Sequence, residues 1–226
     1  MFKFTPPVVK NLIIINILFF LVQEYAPNGF GEHFTELLGL HSIWSKKFEL
    51  YQYITSIFLH ANITHLFTNM FALWMFGQIL ERDLSSQRFL IYYLATGIGA
   101  GILHSGVMAW ELHDLKLYAD SMGHLFTDSD WNIYNQRIDT LTVGASGAVF
   151  GILMGFGVLH PNDRIMLLIP PIPMKAKYFV MGYGLIELVL GFTGSGTNIA
   201  HFAHVGGMIF GYLLLAYWKQ NFKIWK

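Results

Sequence analysis

Long apolar segments are the feature that most constrains the fold of this chain. A helix needs about 20 mostly apolar residues to cross the hydrocarbon layer of a membrane. The composition, 54% hydrophobic and 12% charged in 226 residues, is too apolar for an ordinary soluble domain. We therefore predict an all-α fold, a polytopic membrane protein with a six-transmembrane-helix bundle. The six predicted spans are roughly 8–26, 57–80, 89–109, 145–160, 176–193 and 200–218.

No repeat, low-complexity tract or second domain interrupts this pattern, so we expect a single membrane domain over residues 1–226. The first apolar segment lacks a small-residue cleavage site and is expected to remain as the first helix. Residues 110–141 are polar and acidic, and we expect an outer loop there with one short helix. The proline-broken segment IPPIPMK is expected simply to connect the fourth and fifth helices.

The distribution of basic residues predicts the orientation of the bundle. With the N-terminus in the cytoplasm and six alternating spans, ten of the fourteen Lys and Arg residues fall inside. This bias follows the positive-inside rule and predicts that both termini are cytoplasmic. We expect a multi-pass protein in the lipid bilayer of a prokaryotic cytoplasmic (inner) membrane. The ten residues are Lys3, Lys10, Arg82, Arg88, Arg164, Lys175, Lys177, Lys219, Lys223 and Lys226.

A serine between glycines, Gly144-Ala145-Ser146-Gly147, opens the fourth apolar segment. A nucleophilic serine needs a base for its proton and fixed donors for the developing oxyanion. Ser146 would lie in the first helical turn, where backbone N–H groups lack intrahelical partners. Gly144 and Gly147 would let a substrate carbonyl and a neighbouring helix come close. Alone, this motif is more typical of helix packing than of catalysis.

His204, in the last apolar segment, is the candidate base. Polar residues inside a membrane are costly and usually functional, although a histidine there can also make a purely structural interhelical hydrogen bond. Small residues at every fourth position would let the helices of Ser146 and His204 cross closely. They are Gly147, Gly151 and Gly155 in one helix, and Gly207 and Gly211 in the other.

The second apolar segment contributes His60, His65 and Asn69. His65 and Asn69 are four residues apart, so both project from one helix face. Both side chains can donate hydrogen bonds to an oxyanion. Alternatively, these residues only tie the outer loop to the bundle, and for His60 we favour that interpretation.

Three segments, FLHANITHLFTNMFALWMFGQILE, GASGAVFG and AHVGGMIFG, occur in this order on the predicted helices. Together they resemble the rhomboid family of intramembrane serine proteases, over about residues 48–216. The resemblance implies a six-helix bundle of rhomboid type with a Ser–His dyad open to the extracytoplasmic side. It implies substrates that are transmembrane proteins, cut near the outer end of their helix, and neither a metal nor another cofactor.

Carried over by residue, the resemblance implies Ser146 as nucleophile and His204 as general base and acid. It implies His65 and Asn69 as oxyanion donors, with Gly144 before the nucleophile completing that site. Phe150 falls where the family places an aromatic ring against the catalytic histidine. The remaining supporting residues are the glycines at the helix crossing, Gly147, Gly151, Gly207 and Gly211.

Some residues depart from the family pattern or extend it. Tyr51-Gln52 stands where many members carry Trp-Arg in the first outer loop. Glu81 matches a family glutamate after the second helix and indicates a polar anchor at the inner surface. Glu187 is an acid well inside the fifth span, and its pairing is left open. No carboxylate adjoins His204 in sequence, and His201 is expected to be structural or interfacial.

Other functions fit the sequence less well. A metalloprotease lacks support because there is no His-Glu-x-x-His, and His201 with His204 is an incomplete ligand set. An aspartyl intramembrane protease needs aspartates inside helices, and those of this chain fall in loops. A transporter is disfavoured by the absence of inverted halves. The balanced charge argues against nucleic acid as a partner. A catalytically inactive rhomboid-like membrane-protein binder remains the alternative.

Overall fold

The computed structural model describes residues 5–122, 127–166, 172–193 and 200–222. Helices dominate these ranges, with one two-stranded antiparallel ladder. In chain order the helices are α1 (Pro7–Tyr25), α2 (Phe30–Leu38), α3 (Gln52–Thr55), α4 (Ile63–Ala72), α5 (Gln78–Leu84), α6 (Ser86–Glu111), α7 (His113–Met122), α8 (Asp128–Ile138), α9 (Ser146–Leu159), α10 (Ala176–Thr193) and α11 (His201–Phe222). The strands are β1 (Arg164–Met166) and β2 (Pro173–Lys175).

Three of the six predicted spans coincide with described helices that are long and apolar enough to cross a membrane. Within the described ranges, α1, α6 and α10 are long and apolar enough to cross a membrane, and α9 is a shorter apolar helix of 14 residues. Large apolar side chains on α1 and α10 face outward, among them Leu18, Leu21, Leu185 and Phe192. Outward apolar surface of this kind is stable in lipid rather than in water. The chain is a helical membrane protein.

The second predicted helix begins later than expected. Residues 57–62 are not α-helical, because Asn62 caps α4 with a side chain that accepts the N–H of His65 at 2.9 Å. A π-helical turn, Leu73–Gly77, then joins α4 to α5, so the helical path continues to Leu84. The cap therefore fixes the position of His65 in the first turn of α4.

The core of the bundle is a close packing of α6, α9 and α11. A Cβ added to Gly207 of α11 would collide with the backbone carbonyl of Gly147 in α9. A Cβ added to Gly147 would in turn collide with Ala100 of α6. Gly207 therefore lets α11 contact the backbone of α9, and Gly147 lets α9 pack closely against α6.

Two loop predictions are wrong in detail. The described part of segment 110–141 contains two helices, α7 and α8, rather than one, and the side chain of Thr127 forms a capping box with Asp130 at the start of α8. The predicted simple connection before α10 contains a ladder in which Arg164 pairs with Lys175 and Met166 with Pro173. The fold is thus not purely α-helical. Residues 167–171 lie outside the described residues.

The segment with α7 and α8 packs onto the segment before α3. Leu112, Tyr134 and Ile138 form a small apolar cluster that also touches Trp44. Beside it, the hydroxyl of Ser45 donates to Asp139 at 2.5 Å. The Lys47 ammonium donates to Glu36 at 2.6 Å and lowers the pKa of that exposed carboxyl.

Gln52 organises the segment between α2 and α3. Its side chain is 1% exposed. Its Oε1 accepts the N–H groups of His41 at 3.3 Å and Glu49 at 3.1 Å, and its Nε2 donates to the carbonyls of Leu37 at 3.3 Å and Lys47 at 2.8 Å. These four hydrogen bonds make Gln52 a structural residue of this segment.

Candidate active site

Ser146 is the first residue of α9 and is only partly buried, whereas Ala145 and Gly147 on either side are buried. The first bond of this helix runs from the N–H of Val149 to the carbonyl of Ala145 at 2.9 Å. The N–H groups before Val149 therefore lie at the positive end of the helix without an intrahelical acceptor. The partly buried serine lies at a helix end that favours negative charge.

The segment leading to Ser146 is fixed on both sides. Leu40 and Thr142 exchange backbone hydrogen bonds at 3.0 and 2.9 Å, and the Thr142 hydroxyl is 2.9 Å from Nε2 of His104. The N–H of Gly144 donates to the carbonyl of Ser56 at 3.0 Å. These bonds set the direction from which the chain enters α9.

Gly144 has φ +136°, a conformation that residues with a Cβ rarely adopt. A Cβ here would lie 2.7 Å from Cε1 and 3.0 Å from Nε2 of His65, and 3.6 Å from Oγ of Ser146. Gly144 therefore lies between the two side chains that the sequence assigns to nucleophile and oxyanion donor.

His65 has an assignable tautomer at this position. Its Nδ1 accepts the N–H of Ala61 at 3.4 Å, so Nε2, on the side of Gly144, carries the proton. Asn69 is 5% exposed and donates one Nδ2 hydrogen to the carbonyl of His65 at 3.0 Å. The ring of His60 is buried against His65, with ring centroids 5.2 Å apart.

His204 lies against α9, the helix of Ser146. Its ring is parallel to that of Phe150, one turn after Ser146, with centroids 4.1 Å apart and an interplanar angle of 5°. Gly147, next to the serine, faces the carbonyl of Ala203, next to the histidine. The structure brings both assigned residues to the same end of the α9–α11 contact.

A carboxylate also reaches His204, and the sequence did not show this pairing. Oε2 of Glu187 in α10 is 2.8 Å from Nδ1 of His204 and 2.7 Å from Nδ1 of His201. Exposures are 6% for Glu187, 7% for His201 and 9% for His204. His201 is therefore buried rather than interfacial. An acid inside a span was the available signal, but its partner depends on how α10 packs against α11.

The same three residues offer one ligand atom each within 4.8 Å of one another, so they could hold a metal ion. A tetrahedral zinc site with Zn–N bonds near 2.05 Å separates its ligand atoms by about 3.3 Å. The contacts of 2.7 and 2.8 Å are shorter than that separation and match charge-assisted hydrogen bonds. The described geometry therefore fits a hydrogen-bonded cluster better than a metal centre.

Fold and site together define a helical membrane protein with a serine and a histidine on adjoining helices. The Rhomboid domain family matches residues 47–221, and the chain belongs to this family. It is 30% identical to Rhomboid protease AarA of Providencia stuartii, over 73% of this chain and 54% of that protein. It is 29% identical to RHOMBOID-like protein 12, mitochondrial, of Arabidopsis thaliana, over 88% of this chain and 55% of that protein.

Another relative is Rhomboid protease GluP of Bacillus subtilis, 30% identical over 74% of this chain and 26% of that protein. The chain spans about half the length of the first two relatives and about a quarter of GluP. The family match over residues 47–221 includes both Ser146 and His204.

Proposed function

We propose that this chain is an intramembrane serine endopeptidase that cleaves transmembrane segments of membrane proteins near their extracytoplasmic end. The observation that carries the proposal is the position of Ser146 at the N-terminal end of α9, one turn from a phenylalanine that stacks on His204. Family membership and relatives named rhomboid proteases support the same activity.

In the proposed reaction, Nε2 of His204 takes the proton from Oγ of Ser146 as Oγ bonds to the scissile carbonyl carbon. The oxyanion is stabilised by the N–H of Ser146, by Nε2–H of His65 and by Asn69. His204 then gives its proton to the leaving amine as the C–N bond breaks. Water, activated by the same histidine, hydrolyses the acyl-enzyme.

The decisive experiment is cleavage of a single-span test substrate in proteoliposomes by wild type, Ser146→Ala and His204→Ala. Each substitution is expected to reduce cleavage by at least about 10³-fold, since nucleophile and base act as a unit. Equal cleavage by wild type and Ser146→Ala contradicts the mechanism. A wild type that binds the substrate without cutting it supports the alternative, an inactive rhomboid-like binder.

We further propose six spans with both termini in the cytoplasm of a prokaryotic inner membrane, supported by the apolar segments and the basic-residue bias. The chain has no cysteine, so single introduced cysteines report their side directly. An impermeant maleimide should label Ser129→Cys in intact spheroplasts, but Asn162→Cys only after permeabilisation. The reverse pattern contradicts the orientation.

A further inference from the structure

The carboxylate of Glu187 is buried between α10 and α11, and both of its described hydrogen bonds go to imidazoles. A buried carboxylate is costly unless donors satisfy it. Here Nδ1 of His201 and Nδ1 of His204 lie 2.7 and 2.8 Å from the same oxygen, Oε2. Since an ionised carboxylate only accepts, both imidazoles donate N–H to it.

This contact determines which nitrogen of His204 can act as a base. With the proton of the neutral ring on Nδ1, the lone pair is on Nε2. Phe150 covers one ring face in parallel contact, which restricts the tilt of the imidazole. Rotation within the ring plane is restricted by the hydrogen bond to Glu187. Two contacts from two different helices thus fix tautomer and orientation together.

His201 has a different relation to the reaction. It is one turn before His204 on α11, and its ring is perpendicular to that of His204, with centroids 6.4 Å apart. Its described hydrogen bond within the cluster is to Oε2 of Glu187. A second donor on the same oxygen holds the carboxylate in place and stabilises its charge.

We infer that Glu187 is a positioning residue for His204, held in turn by His201, so that the site works as a relay from α10 rather than as an isolated Ser–His pair. Glu187 orients the imidazole before the reaction and stabilises the imidazolium that forms when Ser146 loses its proton. This inference rests on the proposed function, because it assigns a role within that reaction.

The test measures kcat and KM in proteoliposomes for wild type, Glu187→Leu and Glu187→Gln, together with the rate at which a serine-directed fluorophosphonate labels Ser146. Leucine fills a similar volume without accepting a hydrogen bond, whereas glutamine keeps an acceptor oxygen. Kcat and labelling should fall at least about 100-fold for Glu187→Leu and about tenfold for Glu187→Gln, with KM within about threefold of wild type.

A double-mutant cycle tests the role of His201. His201→Phe keeps a ring but removes the donor, and should lower kcat about tenfold by itself. In the Glu187→Leu background the same substitution should have no further effect, because its route to His204 is already lost. Additive losses of kcat in the double variant would contradict the claim that His201 acts through Glu187. If Glu187→Leu does not fold, the kcat losses of Glu187→Gln and His201→Phe should be less than additive in their combination, because glutamine weakens the same route; additive losses again overturn the inference.

The control is Glu81→Gln, which alters a buried carboxylate remote from histidine and should leave kcat of the folded protein unchanged. Active wild type with Glu187→Leu and Glu187→Gln within threefold of it overturns the inference and leaves the protease proposal standing. Inactive wild type overturns the proposed function itself. The two failures are therefore distinguishable.

Discussion

Two carboxylates, Glu81 and Glu187, are buried to a similar degree in the described part of the chain, at 2% and 6% exposure. Oε1 and Oε2 of Glu81 accept the N–H groups of Val8 and Val9 at 3.0 and 2.8 Å, and Oε1 accepts the hydroxyl of Ser86 at 2.6 Å. These donors are backbone amides and a hydroxyl, which hold the carboxylate in place. Glu187 instead contacts two imidazoles, one of which, His204, is the proposed general base.

The comparison shows that the partners of a buried acid, and not its burial, determine its role. Glu81 satisfies N–H groups in the first turn of α1, which have no intrahelical acceptor, and joins that helix to the start of α6. We call Val8, Val9, Glu81 and Ser86 the anchor. Glu187 belongs with Gly144, Ser146, His201 and His204, which we call the site. Substitutions in the anchor should change stability, and substitutions in the site should change rate.

The largest effect outside the assigned catalytic residues is expected at Gly144. Gly144→Ala would place a methyl group against His65 and force an unfavourable φ, so kcat/KM should fall by about 10²-fold or more, as when an oxyanion donor is lost. The matched control is Gly29→Ala, where φ is +74° and a Cβ meets nothing within 4 Å. It should cost about 1–2 kcal/mol of stability and no activity. Equal activity losses at both glycines would contradict the assignment.

A smaller effect is expected from the two phenylalanines of α9 that stack on histidines. Phe150 contacts His204, and Phe156 contacts His160 with centroids 5.2 Å apart. Leucine at either position should lower stability by about 1–2 kcal/mol. Only Phe150→Leu should also lower kcat, by about tenfold, because its ring orients the base. Thermal unfolding measures the stability, and initial rates measure kcat. A similar loss of kcat for Phe156→Leu would contradict the different roles of the two phenylalanines.

At the anchor, the expected effect is on stability alone. Glu81→Gln turns an amide NH₂ towards donors and leaves a buried N–H of α1 without its acceptor, at about 1–3 kcal/mol. The midpoint of thermal unfolding should fall, while kcat per folded molecule stays within about twofold of wild type. A kcat loss as large as that of Glu187→Gln would mean that the two carboxylates do not differ in role.

Removal of metal should have no effect on the site. Glu187, His201 and His204 interact here by hydrogen bonds, so excess EDTA should leave the cleavage rate of the purified protein unchanged. Loss of activity on chelation, with recovery on adding Zn²⁺, would contradict the serine mechanism and favour a metal on these three ligands.

Much of the bundle could be predicted from hydropathy alone, because a membrane span needs a long apolar run whatever its neighbours are. The bounds of α10 agree with the prediction, and those of α1 and α9 differ by one residue at each end. The start of α4 differs from the prediction because apolar residues continue through 57–59, whereas the Asn62 cap determines where the helix begins. The β1–β2 ladder was missed because the prolines near it suggested only a break.

The site, like the fold, has a part that the sequence predicts and a part that it does not. Ser146 and His204 could be proposed because a serine and a histidine occur in separate apolar segments, in order with the His65–Asn69 segment. The pairing of Glu187 could not, because 17 residues separate it from His204 and only the packing of α10 on α11 determines the contact. The structural role of Gln52 could not be predicted for a similar reason. Its four hydrogen-bond partners come together only in the folded loop and do not form a sequence motif.

The central claim is that Ser146 is a nucleophile activated by His204. Labelling by a serine-directed fluorophosphonate in native membranes tests it most directly, with the buried Ser105→Ala as a matched serine control. Wild type and Ser105→Ala should both be labelled, with the adduct at residue 146, and Ser146→Ala and His204→Ala should not. Equal labelling of Ser146→Ala, or an unlabelled wild type, would contradict the claim.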